Sequence, residues 1–148
     1  MRISAKGRYA LAAVTEIARS SSKNENISTI SIANQLGISK IYLEQVFAQL
    51  KKGNILVSEK GSRGGYQLAQ APKNITVWHV LMVVENALMD PAGSSVEKSA
   101  PEIAMAMQAL VFDALDKSIR DAMTRVSVQD LLDFAEAQRG EQAFMYYL

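Results

Sequence analysis

The chain has 148 residues, 49% of them apolar and none of them cysteine. A packed core is therefore within reach, while disulfides, thiolate chemistry and cysteine-ligated zinc or iron–sulfur centres are excluded. The net charge is only +1, yet residues 1–75 carry 11 Lys/Arg against 4 Asp/Glu and residues 76–148 carry 5 against 11. A basic half joined to an acidic half is the asymmetry expected when one part of a chain meets a polyanion. No signal-peptide pattern precedes the first helix, and no run of about 18 apolar residues suggests a membrane span. The expectation is a cytoplasmic chain without membrane contact.

In chain order, Ser4 can cap a helix with Tyr9, Ala10, Ala13, Val14 and Ile17 on its apolar face. Arg2, Lys6 and Arg8 cluster at its start. Such a cluster is ordinarily a solvated surface, and becomes a phosphate clamp if the chain binds DNA. Residues 20–27 are polar and read as a loop. Residues 28–52 then read as two short helices around a tight turn. Ile30, Ala33 and Leu36 share a face of the first, Ser28 or Thr29 is its N-cap, and Gly37 supplies a left-handed C-cap. Ser39 caps the second, in which Leu43, Val46, Phe47 and Leu50 form a stripe at spacing 0, 3, 4, 7. Ala33 is small enough to sit where the two helices cross. At about 100° per residue, that stripe leaves Ile41, Gln45, Ala48 and Lys52 outward, flanked by Lys40, Glu44 and Gln49. This is the outline of a helix-turn-helix, whose second helix reads bases from its N-terminal half. Any helical hairpin shares that outline, so the rest of the chain has to decide.

After the break at Lys52-Gly53-Asn54, strand-like pieces at 55–59 and 66–69 flank Lys60-Gly61-Ser62-Arg63-Gly64-Gly65. The glycines supply positive φ for a hairpin loop. A hairpin in this place is the wing of a winged helix, its tip carrying Lys60 and Arg63 toward phosphate or the minor groove. A glycine-rich nucleotide loop is the weaker rival, because no Gly-Lys-Ser/Thr follows and the loop lies between strands. Thr76 caps a helix from Val77 to Leu88 that is apolar nearly all round, and its lone His79 and Trp78 read as structural. Residues 89–100 form a connection. Pro101 then opens the longest helix, to about Val126 and roughly 37 Å long. Its stripe of Ile103, Met107, Leu110, Val111, Ala114, Ile119, Ala122 and Met123 is suited to a twin copy. Ser127-Val128-Gln129-Asp130 caps a last helix ending near Gln138, with Leu131, Leu132, Phe134 and Ala135 apolar. The expected fold is mainly α, with a winged helix-turn-helix at 1–75 and a helical dimerisation region with a C-terminal tail at 76–148.

Three stretches together are specific: Met1-Arg2-Ile3-Ser4 with Lys6-Gly7-Arg8-Tyr9-Ala10, Tyr42-Leu43-Glu44-Gln45, and Gly64-Gly65-Tyr66 before a Leu. In order and spacing, across most of the chain, they resemble the IscR/NsrR/CymR (Rrf-type) family of bacterial winged-helix regulators. The resemblance implies a homodimeric transcription factor, usually a repressor, on a partly palindromic operator. It implies base reading by Glu44 and minor-groove entry at the position of Lys60, where the family has an arginine. Lysine is more strongly hydrated and less suited to a narrow groove. Cluster-binding members carry three cysteines in the segment corresponding to 89–100, and Ser94, Ser95 and Ser99 cannot substitute as thiolates. The expected cofactor is therefore none. The ending Glu141-Gln142-Ala143-Phe144-Met145-Tyr146-Tyr147-Leu148 looks more like the CymR branch, repressors of sulfur and cysteine metabolism that take their signal through a cysteine-synthase partner.

On this reading Ser39, Lys40, Ile41, Glu44, Gln45 and Gln49 face bases of double-stranded DNA. Arg2, Lys6, Arg8, Lys51, Lys52 and Arg63 position phosphates, and Lys60 sits at the minor groove. The alternative is a winged-helix protein-interaction module whose tail binds a metabolic enzyme, with DNA contact secondary. In that case the tail is a docking segment; otherwise Phe144, Tyr146, Tyr147 and Leu148 fold back onto the dimer. An enzyme has little support, since no nucleophile–base pair is present and His79 stands alone in an apolar stretch.

Overall fold

The structure is a computed structural model, and it describes residues 3–23, 25–90, 93 and 96–147. Arg2, Ser94, Ser95 and Leu148, which figured in the sequence reading, lie outside the described residues.

Helix α1 (Ala5–Ser21) starts at Ser4, whose hydroxyl accepts from the Gly7 N–H. Helices α2 (Thr29–Leu36) and α3 (Lys40–Lys52) follow, capped by Ser28 and Ser39. Between them Gly37 takes φ 64° and ψ 33°, a left-handed conformation that glycine adopts without a Cβ penalty. Strands β1 (Leu56–Glu59) and β2 (Gly65–Leu68) pair antiparallel, with Leu56 opposite Leu68 and Glu59 opposite Gly65. A 3-10 turn at Pro72–Asn74 leads to α4 (Val77–Val84). This helix is shorter than expected, leaving the helical course at Glu85 rather than Leu88. The expected long helix is present as α5 (Pro101–Met107) and α6 (Asp113–Arg125), joined without a break by a π turn at Gln108–Phe112. The last helix, α7 (Val128–Tyr146), does not stop near Gln138 but runs through Gly140 into the tail.

The core gathers Ala10, Ala13, Val14 and Ile17 of α1, Leu43, Val46, Phe47 and Leu50 of α3, Leu56 of β1, Val80 and Val84 of α4, and Val128 and Leu132 of α7. It therefore draws on both sides of residue 75. A backbone bond joins the two parts, Val128 donating to the Ile75 carbonyl at 2.8 Å, and beside it Val77 donates to the Val126 carbonyl at 2.9 Å. Burying each large side chain here is worth about 1.5–3 kcal/mol. In α2 the buried pair is Ile32 and Ala33, while Ile30 is 56% exposed. Ala33 and Leu36 of the expected face do meet the core, Leu36 half-buried, but Ile32 takes the place expected for Ile30 where α2 packs on α1 and α3.

Ile27 is a second correction. It is buried, not part of a solvated loop, and it exchanges backbone hydrogen bonds with Tyr66. This short rung against β2 is why Gly65 must be glycine: its φ is 151°, and a Cβ there would lie 2.6 Å from the Ile27 carbonyl oxygen.

Candidate nucleic-acid interface

Helix α3 divides cleanly into two faces. Leu43, Val46, Phe47 and Leu50 are buried, and the Phe47 ring lies 4.6 Å from that of Tyr66 on the hairpin. Ser39, Lys40, Ile41, Glu44, Gln45, Ala48, Lys51 and Lys52 are exposed. Ile41, at 71% exposure, is an apolar residue held in solvent at the N-terminal end of the helix. Lys40 and Glu44 face each other one turn apart at 3.4 Å, so any partner that engages the Glu44 carboxylate competes with an exposed ion pair. Gln49 departs from the expectation. It is half-buried, with its side-chain oxygen sealed from solvent, because it sits one turn beyond Val46 and next to Leu50 at the edge of the buried stripe.

The other elements hold this face in place. Tyr9 of α1 meets Tyr42 of α3 edge-on, with ring centroids 5.5 Å apart. Lys51 donates to the Ser58 hydroxyl at 2.7 Å, tying the end of α3 to β1 and committing its ammonium to the hairpin. Lys52 makes no such bond among the described residues and is exposed. At the hairpin tip Lys60, Gly61, Ser62 and Arg63 are all exposed, and Gly61 has φ 110°. Gly64 serves a different need, since a Cβ there would press on the backbone of Glu59 and Gly61.

At the start of α1, Arg8 is exposed and Lys6 half-buried. Here the structure adds a residue the sequence reading left without a role. The Glu85 carboxylate accepts from both the Ser4 N–H (2.9 Å) and the Ser4 hydroxyl (2.8 Å), placing negative charge at the positive end of the α1 dipole. Gly7 makes room for it: a Cβ there would overlap the Glu85 carboxylate and come within 2.7 Å of Ile3. His79 also has a defined task. Its Nδ1 accepts from the Thr76 N–H at 3.2 Å while the Thr76 hydroxyl accepts from the His79 N–H, a reciprocal cap on α4.

Of the side chains expected to join two copies, Ile103, Met107, Leu110, Val111, Ala114 and Ala122 are exposed, and Ile119 is half-buried. Met123 is withdrawn from that set. It is 6% exposed, on the side where α6 packs on α4. Arg120 spans the same contact, its guanidinium 5.1 Å from the centre of the Trp78 ring.

The profile of the Rrf2 family, described as iron-dependent transcriptional regulators, matches residues 3–133. The chain belongs to the Rrf2 family. As a member it is a DNA-binding transcriptional regulator, and the relatives named below are regulators, not enzymes. The transcriptional regulator IscR of Cereibacter sphaeroides is 36% identical over 64% of this chain and 64% of its own length, so that likeness covers less than two thirds of the relative. Two solved structures match more completely. IscR of T. potens superposes with a TM-score of 0.74 at 33% identity, covering 99% of this chain and 97% of that one. CymR, the global cysteine regulator of B. subtilis, gives 0.74 at 29% identity over 90% of this chain and 98% of that one.

The family description raises the question of iron. A cluster held by thiolates needs cysteines, and this Rrf2 chain has none. Among the described residues, no three His, Asp or Glu side chains gather where they could hold a metal ion. The residues present do not fit a cysteine-ligated cluster. Among the described residues, no helix is long and apolar enough to cross a membrane.

Proposed function

We propose that this chain is a homodimeric repressor that reads a partly palindromic operator without an iron–sulfur cluster. One observation carries the reading. The apolar row of α3 is sealed in the core, while Ser39, Lys40, Ile41, Glu44 and Gln45 are exposed, and so are Lys60 and Arg63 at the wing tip. The first group reads bases and the second meets phosphate or the minor groove, with Arg2, Lys6, Arg8 and Lys52 adding phosphate contacts. DNA contact belongs to residues 1–75 and self-association to residues 76–148. The α5–α6 face supports the second assignment, because Ile103, Leu110, Val111 and Leu115 are too exposed for a helix that ends its packing within one chain. Likeness to CymR over nearly its whole length favours control of sulfur or cysteine metabolism in the cytoplasm.

The test is selection of bound sequences from random duplex DNA, with titration of the winner at two salt concentrations. An inverted repeat with half-sites about one helical turn or a multiple apart is the expected result. A steep salt slope without an enriched motif would leave only charge-driven binding.

The tail supports a second role on the same protein. Phe144, Met145 and Tyr146 end α7 and Tyr147 follows as its C-cap, all at 65–93% exposure, a surface suited to a protein partner such as a cysteine-synthase-like enzyme. Truncation after Gln138 should then abolish capture of that enzyme while leaving operator binding intact.

A further inference from the structure

We infer that Asn26 is the positioning residue of the wing: it sets where Lys60 and Arg63 stand without contacting DNA itself. The inference rests on the DNA-binding reading above. A primary amide has two N–H donors and one carbonyl acceptor, and Asn26 uses them all on the hairpin. Its Nδ2 donates to the Glu59 carboxylate at 2.8 Å and to the Arg63 carbonyl at 2.9 Å, while its Oδ1 accepts from the Gln67 amide. Glu59 is the last residue of β1 and Arg63 lies beyond Ser62, so the two donor bonds hold both ends of the Lys60–Ser62 tip. The third bond holds β2. A flipped amide would turn its oxygen onto a carboxylate and a carbonyl, so the network admits one orientation.

The anchor itself is fixed. Ile27, the next residue, is buried and exchanges two backbone hydrogen bonds with Tyr66, at 3.3 and 2.9 Å. A two-stranded hairpin of four-residue strands is marginal alone in water. The Lys51–Ser58 bond secures the middle of β1 and the Gly64 N–H closes the tip on the Gly61 carbonyl, but it is Asn26 that ties the tip to the segment before α2. Alanine has neither donor nor acceptor at this place. Aspartate would set a carboxylate against that of Glu59.

The experiment compares Asn26→Ala in two backgrounds, wild type and Lys60→Ala/Arg63→Ala, by titration of the selected operator at several salt concentrations. In wild type, Asn26→Ala should weaken binding about tenfold near physiological salt and lower the salt slope by one to two phosphate contacts, or about 1–2. Base preference read by α3 should stay the same. In the background lacking Lys60 and Arg63, the substitution should cost less than about twofold, since its effect runs through those two side chains. Glu59→Gln keeps an acceptor for Asn26 and should bind as wild type does. Equal losses in the two backgrounds, or an unchanged salt slope, would overturn the inference by showing a general structural role. If the unaltered protein binds no duplex selectively, the DNA-binding reading fails and this inference with it. If it binds selectively and Asn26→Ala binds equally well, only the inference fails.

Discussion

The winged helix and the α5–α6 rod solve opposite problems with the same kind of amino acid. In α1 and α3 the apolar stripe is buried almost completely, and what faces solvent is mostly polar, Ile41 being the large apolar exception on α3. Along α5 and α6 the order is reversed. Ile103, Met105, Leu110, Val111 and Leu115 face solvent, and only Met123 near the far end is buried. The charge differs as well: α6 balances Asp113, Asp116 and Asp121 against Lys117, Arg120 and Arg125, so it carries no basic excess. Hydrophobicity alone does not distinguish the two regions; what does is whether the chain supplies its own partner for the stripe. A domain that closes its core can present a polar reading face, whereas a rod with an open stripe is finished only by another surface.

That contrast can be broken first in the closed region. Phe47→Ala removes a fully buried ring packed on Tyr66 and should destabilise the fold by about 3–5 kcal/mol, read as a drop in thermal or urea midpoint. An exposed ring such as Phe134 should cost far less under the same substitution. On the rod, Leu110→Glu is expected to leave thermal stability of the winged-helix core intact but shift sedimentation toward monomer. Operator affinity should then fall by roughly 10²-fold as the two half-sites lose their linkage. A Leu110→Glu protein that stays dimeric would show that another surface joins the copies.

Smaller effects sharpen the division within α3. Gln45→Ala should cost on the order of 1–3 kcal/mol on the preferred operator and alter base choice, whereas Lys52→Ala should weaken all sequences alike and flatten the salt slope by about 1. Selection repeated on each variant distinguishes them. The smallest effect concerns Asp130 at the start of α7. The Ser127 hydroxyl and N–H donate to its carboxylate at 2.7 and 2.8 Å, and these bonds hold its pKa below the ordinary aspartate range. A carboxyl whose pKa is lower folded than unfolded stabilises above its unfolded value and loses that contribution as pH falls through the folded one. Asp130→Ala should therefore lower the thermal midpoint slightly at neutral pH, with the gap to wild type closing in acid.

Much of this was legible in the sequence for local reasons. Ser4, Gly37, Ser39, Thr76 and Ser127 mark helix ends through bonds within four residues, and the stripe of α3 repeats at the helical period, so neither needed a distant partner. Gln49 and Met123 were misassigned because both lie at the edge of a stripe, where a neighbouring element decides whether a side chain is covered. Ile27 was hidden by polar neighbours; a lone β-branched residue just before the Ser28 cap was the available signal. Asn26 gave no signal at all, since each of its partners lies more than thirty residues away. The extension of α7 past Gly140 runs against the residue's helix propensity, and the tail around it is apolar enough to have obscured the period.

By itself, the sequence determined the helix-turn-helix, the wing, the separation of basic from acidic charge and the absence of thiolate ligands. Those follow from periodicity, capping chemistry and composition, which act over a few residues or need only counting. Tertiary structure alone decided which of the two isoleucines of α2, Ile30 or Ile32, entered the core, that α4 and α7 complete the winged-helix core, and that Glu85 and Asn26 secure α1 and the wing. Each of those depends on atoms brought together from distant parts of the chain, and burial or a hydrogen bond between them is a property of the packed molecule rather than of either segment.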